Sequence, residues 1–293
     1  MTHPPPTKPP PAQPILAVKD LHKHYPIFSK GLRRRKIDEI RACDGVSFAL
    51  DQGETIGLVG ESGCGKTTTG RAILRAIEPT SGSVLFRSSR GLVDLATLPA
   101  PQLKPLRREL QMIFQDPFSS LNPRMTVGRI VGEPLYIHDA ARGSERDDRV
   151  CAMLRRVGIQ PEFRHRYPHA FSGGQRQRIG IARALILQPT LVVADEAVSA
   201  LDVSVQAQII NLLADLQHEF HLTLIFIAHD LSVVQHICHR VAVMHRGRIV
   251  ESGPTRQIFQ DPRHPYTRTL LSAIPQPDPD IPLPDIPPYE PDA

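Results

Sequence analysis

The chain has 293 residues, and the 41% that are hydrophobic suffice to bury one large core or two modest ones. Its net charge is +5, but Lys and Arg are interleaved with Asp and Glu, which argues against a nucleic-acid partner. Its start has neither a basic n-region nor an apolar h-region, so secretion is not expected. Its apolar runs fall short of the ~18 residues of a membrane span, and its 4 cysteines form no C-x-x-C pair. These features predict a cytosolic chain with reduced thiols, whose membrane role would come through partner chains.

Both ends of the chain are rich in proline. Residues 1–14 and 275–293 hold 15 of the 29 prolines and are predicted to be disordered tails. Between them, short β-branched runs alternate with amphipathic stretches, which predicts one α/β module with a largely parallel sheet. Residues 118–188 lack strong strand signals and are predicted to form an inserted helical lobe. The basic run 32–36 is interpreted as a solvated insertion between two early strands, with contact to anionic lipid as the alternative.

Residues 60–68 fit the phosphate-loop pattern G-x-x-x-x-G-K-S/T, between a strand-like segment, 54–59, and a helical one, 68–77. Glycines let such a loop turn tightly and direct backbone N–H groups at phosphate oxygens, beside the positive end of a helix dipole. Lys66 supplies a positive charge for the β- and γ-phosphates, and the Thr67 hydroxyl is placed to ligate Mg²⁺. The alternative is an ordinary glycine-rich turn before a helix. The predicted nucleotide contacts are Gly60, Ser62, Gly63, Cys64, Gly65, Lys66, Thr67 and Thr68.

Cysteine and histidine positions suggest one reactive thiol and no closed zinc site. Cys64 lies near a helix start and a lysine, which predicts a lowered pKa for its thiol and slower alkylation in the presence of ATP. The candidate zinc ligands are two histidine pairs, one with a proline between its members and one beside a cysteine. Neither pair offers enough ligands for a closed zinc site. These pairs are His165 with His169 and His236 with His239.

Two carboxylates end the apolar run 191–194, so a buried strand is predicted to deliver them at its C-terminal edge. Asp195 is then placed to hold Mg²⁺ through water, and Glu196 to orient or deprotonate the attacking water. The alternative is that the pair merely caps the following helix.

Residues 171–178 precede a helical segment, and Ser172 is predicted to cap it while Gly173 and Gly174 expose backbone N–H groups as a second anion site. This string resembles the signature motif of ATP-binding cassette ATPases. The resemblance implies that Ser172, Gly173, Gly174 and Gln175 bind the γ-phosphate held by the phosphate loop of another subunit. It therefore implies a head-to-tail dimer and an inactive isolated monomer.

Other family positions follow in the expected order, and their roles are implied by the resemblance. Gln115 resembles the glutamine that senses Mg²⁺ and the attacking water, and His229 resembles the switch histidine that contacts the γ-phosphate. Asp202 lies in a loop similar to the one that touches the opposing subunit. Tyr25 resembles the aromatic residue that stacks on adenine, with a core tyrosine as the alternative. One departure is Ala197, where the family usually has proline, and little loss of function is expected.

Two further segments, 115–127 and 263–275, are similar to the oligopeptide and dipeptide importer subfamily. This similarity implies an ATPase using ATP and Mg²⁺, attached to the cytoplasmic face of a bacterial inner membrane. It would work with a second ATPase subunit, related or identical, under two permease subunits fed by an extracytoplasmic binding protein. No iron-sulfur cluster is expected, because no cysteine follows Cys238. A nickel or glutathione importer is the alternative, and a non-transport cassette ATPase is less favoured because the chain has no second cassette.

The resemblance also defines the expected architecture. It implies a P-loop NTPase with a RecA-like core, an antiparallel β subdomain and an inserted helical signature subdomain. The predicted divisions are a tail at 1–14, a nucleotide-binding domain at 15–262 and a C-terminal extension at 263–293.

Overall fold

The computed structural model describes residues 13–29, 35–199 and 201–273. The predicted proline-rich tails lie outside these residues, apart from positions 13 and 14. Most of the basic run 32–36 also lies outside them.

Ten strands occur within the described residues. They are β1 (Leu16–Phe28), β2 (Lys36–Leu50), β3 (Thr55–Val59), β4 (Ser81–Ser88), β5 (Gly91–Asp94), β6 (Leu110–Ile113), β7 (Leu191–Asp195), β8 (Thr223–Ile227), β9 (Arg240–His245) and β10 (Arg248–Pro254).

The same residues form nine α-helices. They are α1 (Lys66–Ile73), α2 (Ala100–Leu106), α3 (Val127–Ile137), α4 (Gly143–Arg156), α5 (Gly173–Leu185), α6 (Val203–Phe220), α7 (Leu231–Ile237), α8 (Thr255–Gln260) and α9 (Pro265–Ser272). None of these helices combines the length and apolarity needed to cross a bilayer.

The larger sheet has the order β10-β9-β3-β8-β7-β6, and its neighbours are parallel except for β10 and β9. Strands β3, β7 and β8 are buried at every position, as parallel strands covered on both faces should be. In the register, Leu58 and Asp195 both pair with Ile227. The carboxyl ends of β3, β8 and β7 therefore meet at one edge, which is where α/β folds bind ligands.

A smaller antiparallel sheet has the order β2-β1-β4-β5. Its apolar side chains, such as Leu16 and Phe86, share one core with Ile73 of α1 and Leu58 of β3. This packing connects the small sheet directly to the strand and helix on either side of the phosphate loop.

A helical segment lies between β6 and β7 and contains α3, α4, α5 and two short 3-10 turns, with no strand in residues 114–190, all of which are described. Its buried side chains, including Val131, Leu154 and Ile181, form one core with Val192 of β7 and Phe226 of β8. The α/β fold with a parallel core, an antiparallel sheet and an inserted helical region confirms the predicted fold class.

Candidate active site

The phosphate loop is shaped by glycines at positions where a side chain would clash. Gly60, Gly63 and Gly65 have φ angles of +145°, +82° and +107°, a region that favours glycine. A Cβ on Gly65 would lie 1.9 Å from the Ala42 carbonyl oxygen, and one on Gly60 would lie 2.1 Å from that of Met244. A Cβ on Gly63 would meet no described atom within 4 Å. The loop is therefore closed against β2 and β9 and open at Gly63, as a phosphate cradle requires.

Lys66 begins α1, and its side chain is buried inside the loop. Its Nζ donates hydrogen bonds to the carbonyl oxygens of Gly60, at 2.7 Å, and Glu61, at 2.8 Å. The exposed Ser62 and the half-buried Thr68 lie on either side of this charge along the chain. The loop thus combines an ammonium group with the N-terminal N–H groups of a helix, a combination suited to a polyphosphate.

Cys64 does not have the predicted low pKa. The side chain is buried, and burial raises the pKa of the thiol more than the neighbouring Lys66 ammonium lowers it. The sequence position indicated the positive charge near this thiol but not its packing beneath Gly60, where a Cβ would lie 2.9 Å from Sγ. The prediction of a reactive thiolate was wrong, and we expect slow alkylation with or without nucleotide.

Thr67 and Asp195 form the part of the site that fits Mg²⁺. The Thr67 hydroxyl donates to Asp195 Oδ1 at 2.6 Å, so both predicted ligands lie side by side. Asp195 Oδ2 is buried and accepts no hydrogen bond from the described residues, and the Arg71 guanidinium lies 3.6 Å away. Burial raises the pKa of Asp195, although Thr67 and Arg71 oppose this effect. A buried carboxylate oxygen without a hydrogen bond beside a hydroxyl fits a hard cation that prefers oxygen ligands.

Gln115, Glu196 and His229 come together although they follow three different strands. The Gln115 side-chain amide donates to Glu196 Oε2 at 2.6 Å, and His229 Nδ1 lies 3.7 Å from the same oxygen. Glu196 adopts a φ of +45°, and its N–H donates to the Ile227 carbonyl at 2.9 Å. Its own carbonyl accepts bonds from the backbone and the hydroxyl of Ser199. The backbone around the predicted base is therefore held between β8 and the following loop.

The carboxylate pair does not cap the next helix, because α6 starts at Val203 and its N-cap is Asp202. The capping alternative for Asp195 and Glu196 is wrong. Ala197, which stands where the family usually has proline, is buried.

The signature residues form the predicted helix cap. Ser172 accepts a hydrogen bond from the Gln175 backbone N–H, and the Gln175 side chain accepts one from the Ser172 N–H, which completes a capping box. A Cβ on Gly174 would lie 2.4 Å from Val205 Cγ1, so glycine lets α5 approach the start of α6. Asp202 precedes that same helix. Among the described residues, no hydrogen bond or ion pair joins residues 172–175 to the phosphate loop.

Tyr25 lies in β1 opposite Ile40 of β2 and is 39% exposed. The alternative of a core tyrosine is therefore wrong. The Lys23 ammonium lies 4.9 Å from the centroid of the tyrosine ring. Its stacking on adenine stays a prediction.

Tyr266 of α9 contacts the phosphate loop, a contact that no local sequence pattern predicts. The Glu61 backbone N–H donates to the Tyr266 hydroxyl at 3.1 Å, across 205 positions of sequence. The tyrosine is fully buried, and its ring centroid lies 4.2 Å from that of His245. The only signal was its place in the segment similar to peptide importers. The C-terminal extension thus supports the loop that carries Lys66.

Glu251 of β10 fixes the start of this extension. Its carboxylate accepts hydrogen bonds from the backbone N–H groups of Arg263, at 2.9 Å, and His264, at 3.0 Å. Burial works to raise the pKa of Glu251, but the hydrogen bonds to its carboxylate outweigh burial and lower it. The ionised form of this side chain therefore stabilises the docked extension.

The chain belongs to the ABC transporter family, whose model matches residues 43–199. A second model, for the C-terminal region of oligopeptide/dipeptide transporters, matches residues 250–293. These matches confirm the family and subfamily predicted from the motifs.

The curated relatives carry transport names. The chain is 53% identical over 262 residues to the oligopeptide transport ATP-binding protein AppF of Bacillus subtilis (strain 168), covering 89% of this chain and 78% of AppF. It is 54% identical over 273 residues to the glutathione import ATP-binding protein GsiA of Pectobacterium atrosepticum, covering 93% of this chain but 43% of GsiA. The chain therefore spans less than half the length of this second relative.

The fold also matches solved ATP-binding cassettes. One is a dimeric, post-hydrolysis structure of the cassette MJ0796 bound to ADP and phosphate, with a TM-score of 0.70 and 28% identity. The match covers 82% of this chain and 99% of the solved one.

Proposed function

We propose that this chain is the ATP-binding and ATP-hydrolysing subunit of an ABC importer for di- and oligopeptides. The observation that carries the proposal is the meeting of two groups of side chains at one edge of the parallel sheet. Lys66, Thr67 and Asp195 form a site suited to a phosphate chain with Mg²⁺, and Glu196 stands beside Gln115 and His229. The identity to AppF and the match to the C-terminal region of oligopeptide/dipeptide transporters support the cargo class.

The chemistry of the site follows from these positions. When bound, ATP supplies the phosphoanhydride bond and Mg²⁺ neutralises charge on its oxygens. Thr67, Asp195 and Gln115 would hold the metal, and Lys66 with the loop N–H groups would bind the phosphates. Glu196 would take a proton from the attacking water at its carboxylate, which Gln115 orients through the bond to Oε2. His229, within 3.7 Å of that oxygen, would help to position water and phosphate.

The position of the signature supports a head-to-tail dimer. Ser172 and its neighbours contact each other and α6 and make no hydrogen bond to the phosphate loop of their own chain within the described residues. Their N–H groups at the start of α5 would bind the γ-phosphate held by a second ATPase subunit, identical or related. The site of one chain would then be complete only with its partner, and the dimeric state of the solved cassette agrees with this.

A groove beside the Gln115 loop supports a permease partner at the cytoplasmic face of the inner membrane. Phe114 and Ile137 line this groove and are both exposed, although both are apolar. Phe118, also exposed, follows in the same loop. Exposed apolar side chains next to a catalytic loop would let a membrane subunit sense closure of the site.

A glutathione importer is the second candidate, because GsiA shares 54% identity with this chain. Glutathione is itself a small peptide, so the site in this chain would be the same in both cases. The cargo would be selected by the other subunits.

Uptake experiments test the proposal. Cells lacking the native gene would receive the native chain, Glu196→Gln, or the control Tyr136→Phe at matched expression. We expect labelled tetrapeptide to accumulate with the native and control chains only. Accumulation of labelled glutathione instead would select the second candidate. Equal tetrapeptide uptake with Glu196→Gln would contradict a transport role for this site.

A further inference from the structure

Two histidines and an aspartate form a cluster in the small antiparallel sheet. His22 and His24 are two residues apart in β1 and share a face, and Asp44 of β2 stands opposite His22 in the register. One ligand atom from each of the three residues lies within 4.8 Å of the other two. Asp44 Oδ1 is 3.4 Å from His22 Nδ1 and 3.7 Å from His24 Nε2. We call these three residues the histidine cluster.

The two nitrogens that face Asp44 are buried and make no hydrogen bond with the described residues. Their side chains are 22% and 21% exposed as a whole, so water reaches the rings but not these atoms. Buried polar atoms of native proteins nearly always have a partner, and each exception requires an explanation. Two such atoms aimed at one carboxylate oxygen indicate a shared ligand between them.

The outer sides of the imidazole rings face other carboxylates. His22 Nε2 lies 3.0 Å from Asp20 Oδ1, and His24 Nδ1 lies 3.6 Å from Glu39 Oε1. In metal sites, a ligating histidine usually donates its other N–H to a carboxylate, which fixes the tautomer and leaves the inner lone pair for the ion. His22 has this arrangement through its bond to Asp20, whereas Glu39 lies near His24 without a hydrogen bond to it.

Asp44 has one oxygen engaged and one available. Arg248 donates to Asp44 Oδ2 through Nε, at 2.9 Å, and Nη2, at 2.6 Å. These two bonds fix the orientation of the Asp44 carboxylate. Its Oδ1 remains directed at the two histidines.

We propose that the histidine cluster binds one divalent transition-metal ion, best suited to Zn²⁺, through His22 Nδ1, His24 Nε2 and Asp44 Oδ1. Two nitrogens and one oxygen are a donor set that zinc accepts, with water completing the tetrahedron. Zinc bonds of about 2.0–2.1 Å place neighbouring ligand atoms of a tetrahedron about 3.3 Å apart. The observed 3.4 and 3.7 Å are close to this spacing.

The competing account is a cluster without metal. Asp20, Glu39 and Asp44 are the carboxylates that face the two rings, and Arg248 is the cation that binds Asp44. In that case the rings would only pair with these carboxylates, and the cluster would bind no ion. The two accounts differ in one measurable property, which is metal affinity.

Cobalt(II) titration of the full chain tests the proposal, after chelator treatment and above neutral pH. We expect one Co²⁺ per chain, with visible absorption typical of tetrahedral nitrogen and oxygen ligation, displaced by Zn²⁺. His22→Gln, His24→Gln and Asp44→Asn should each weaken binding by about tenfold or more. The matched control is His218→Gln, which removes an exposed histidine from α6 and should bind as the native chain does.

One further variant keeps the test decisive if a ligand variant fails to fold. Asp20→Asn leaves all three ligands in place and should still weaken binding by about tenfold, because it removes the carboxylate charge that pairs with the outer nitrogen of His22. Unfolding temperatures measured without metal would identify any variant that is merely unstable. Absence of the cobalt absorption in the native chain, or native affinity in the folded ligand variants, would overturn the proposal.

Discussion

The most informative single substitution is Tyr266→Phe, because it removes one oxygen atom from a fully buried side chain. The Tyr266 hydroxyl accepts the hydrogen bond of the Glu61 N–H at 3.1 Å, and the Glu61 carbonyl in turn accepts one from the Lys66 ammonium. Phenylalanine keeps the ring against His245 and loses the hydroxyl that accepts from Glu61. We expect the phosphate loop to lose its support from the C-terminal extension.

The expected magnitude follows from the loss of one hydrogen bond. An unsatisfied buried N–H costs about 1–3 kcal/mol. Glu61 itself is exposed, so water can replace part of the bond, and the cost should be near 1 kcal/mol. If the open loop does not bind ATP and is well populated without it, the dissociation constant rises by up to about fivefold. Tyr266→Ala, which also deletes a buried ring, should cost about 3–5 kcal/mol of folding stability.

Isothermal titration of the chain with ATP, followed by steady-state hydrolysis by the assembled complex, measures this effect. We expect a weaker dissociation constant and a higher KM for Tyr266→Phe, with kcat changed by less than about twofold, because the chemical groups remain in place. Tyr136→Phe is the matched control, since that tyrosine is 74% exposed in α3. Native ATP affinity in a folded Tyr266→Phe chain would refute the reasoning.

Three other predictions concern the loop and its support. Gly65→Ala should lower the free energy of unfolding, measured by thermal unfolding, by about 3 kcal/mol and abolish ATP binding, because its Cβ would lie 1.9 Å from the Ala42 oxygen. The control Gly180→Ala places no described atom within 4 Å of its Cβ and should have neither effect. Glu251 has a lowered pKa in the folded chain, so its stabilisation is complete above the unfolded pKa and is lost as pH falls through the folded pKa. We therefore expect the unfolding temperature of the native chain to fall at acid pH, and we expect a smaller fall for Glu251→Gln. Lys66→Ala should weaken ATP binding and abolish turnover, and native turnover by this variant would remove Lys66 from the site.

Local motifs predicted most of the candidate site. The glycine spacing around Lys66 and the apolar run before Asp195 each belong to one continuous segment, so strand, loop and helix follow from neighbouring residues. The Ser172 cap was predictable for the same reason, because a capping box lies within four residues. The parallel sheet then brings the separate segments together, since successive parallel strands end at the same edge.

Features that depend on packing between distant segments were not predictable. The charge and helix start beside Cys64 predicted a lowered pKa for its thiol. The burial of this side chain under Gly60 raises that pKa instead. Tyr25 was ambiguous because irregularities in the pairing of β1 with β2 disturb the alternation of buried and exposed positions. The contact between Tyr266 and Glu61 spans 205 positions of sequence and has no local pattern.

The most direct test of the central claim is phosphate release by this chain in complex with the partners proposed for it. The account predicts that the native complex hydrolyses ATP in the presence of Mg²⁺. With Glu196→Gln, it predicts that the complex retains bound ATP and releases phosphate about 10²- to 10⁴-fold more slowly. Native rates of phosphate release from the Glu196→Gln complex, purified free of other ATPases, would contradict the assignment of Glu196 as the base.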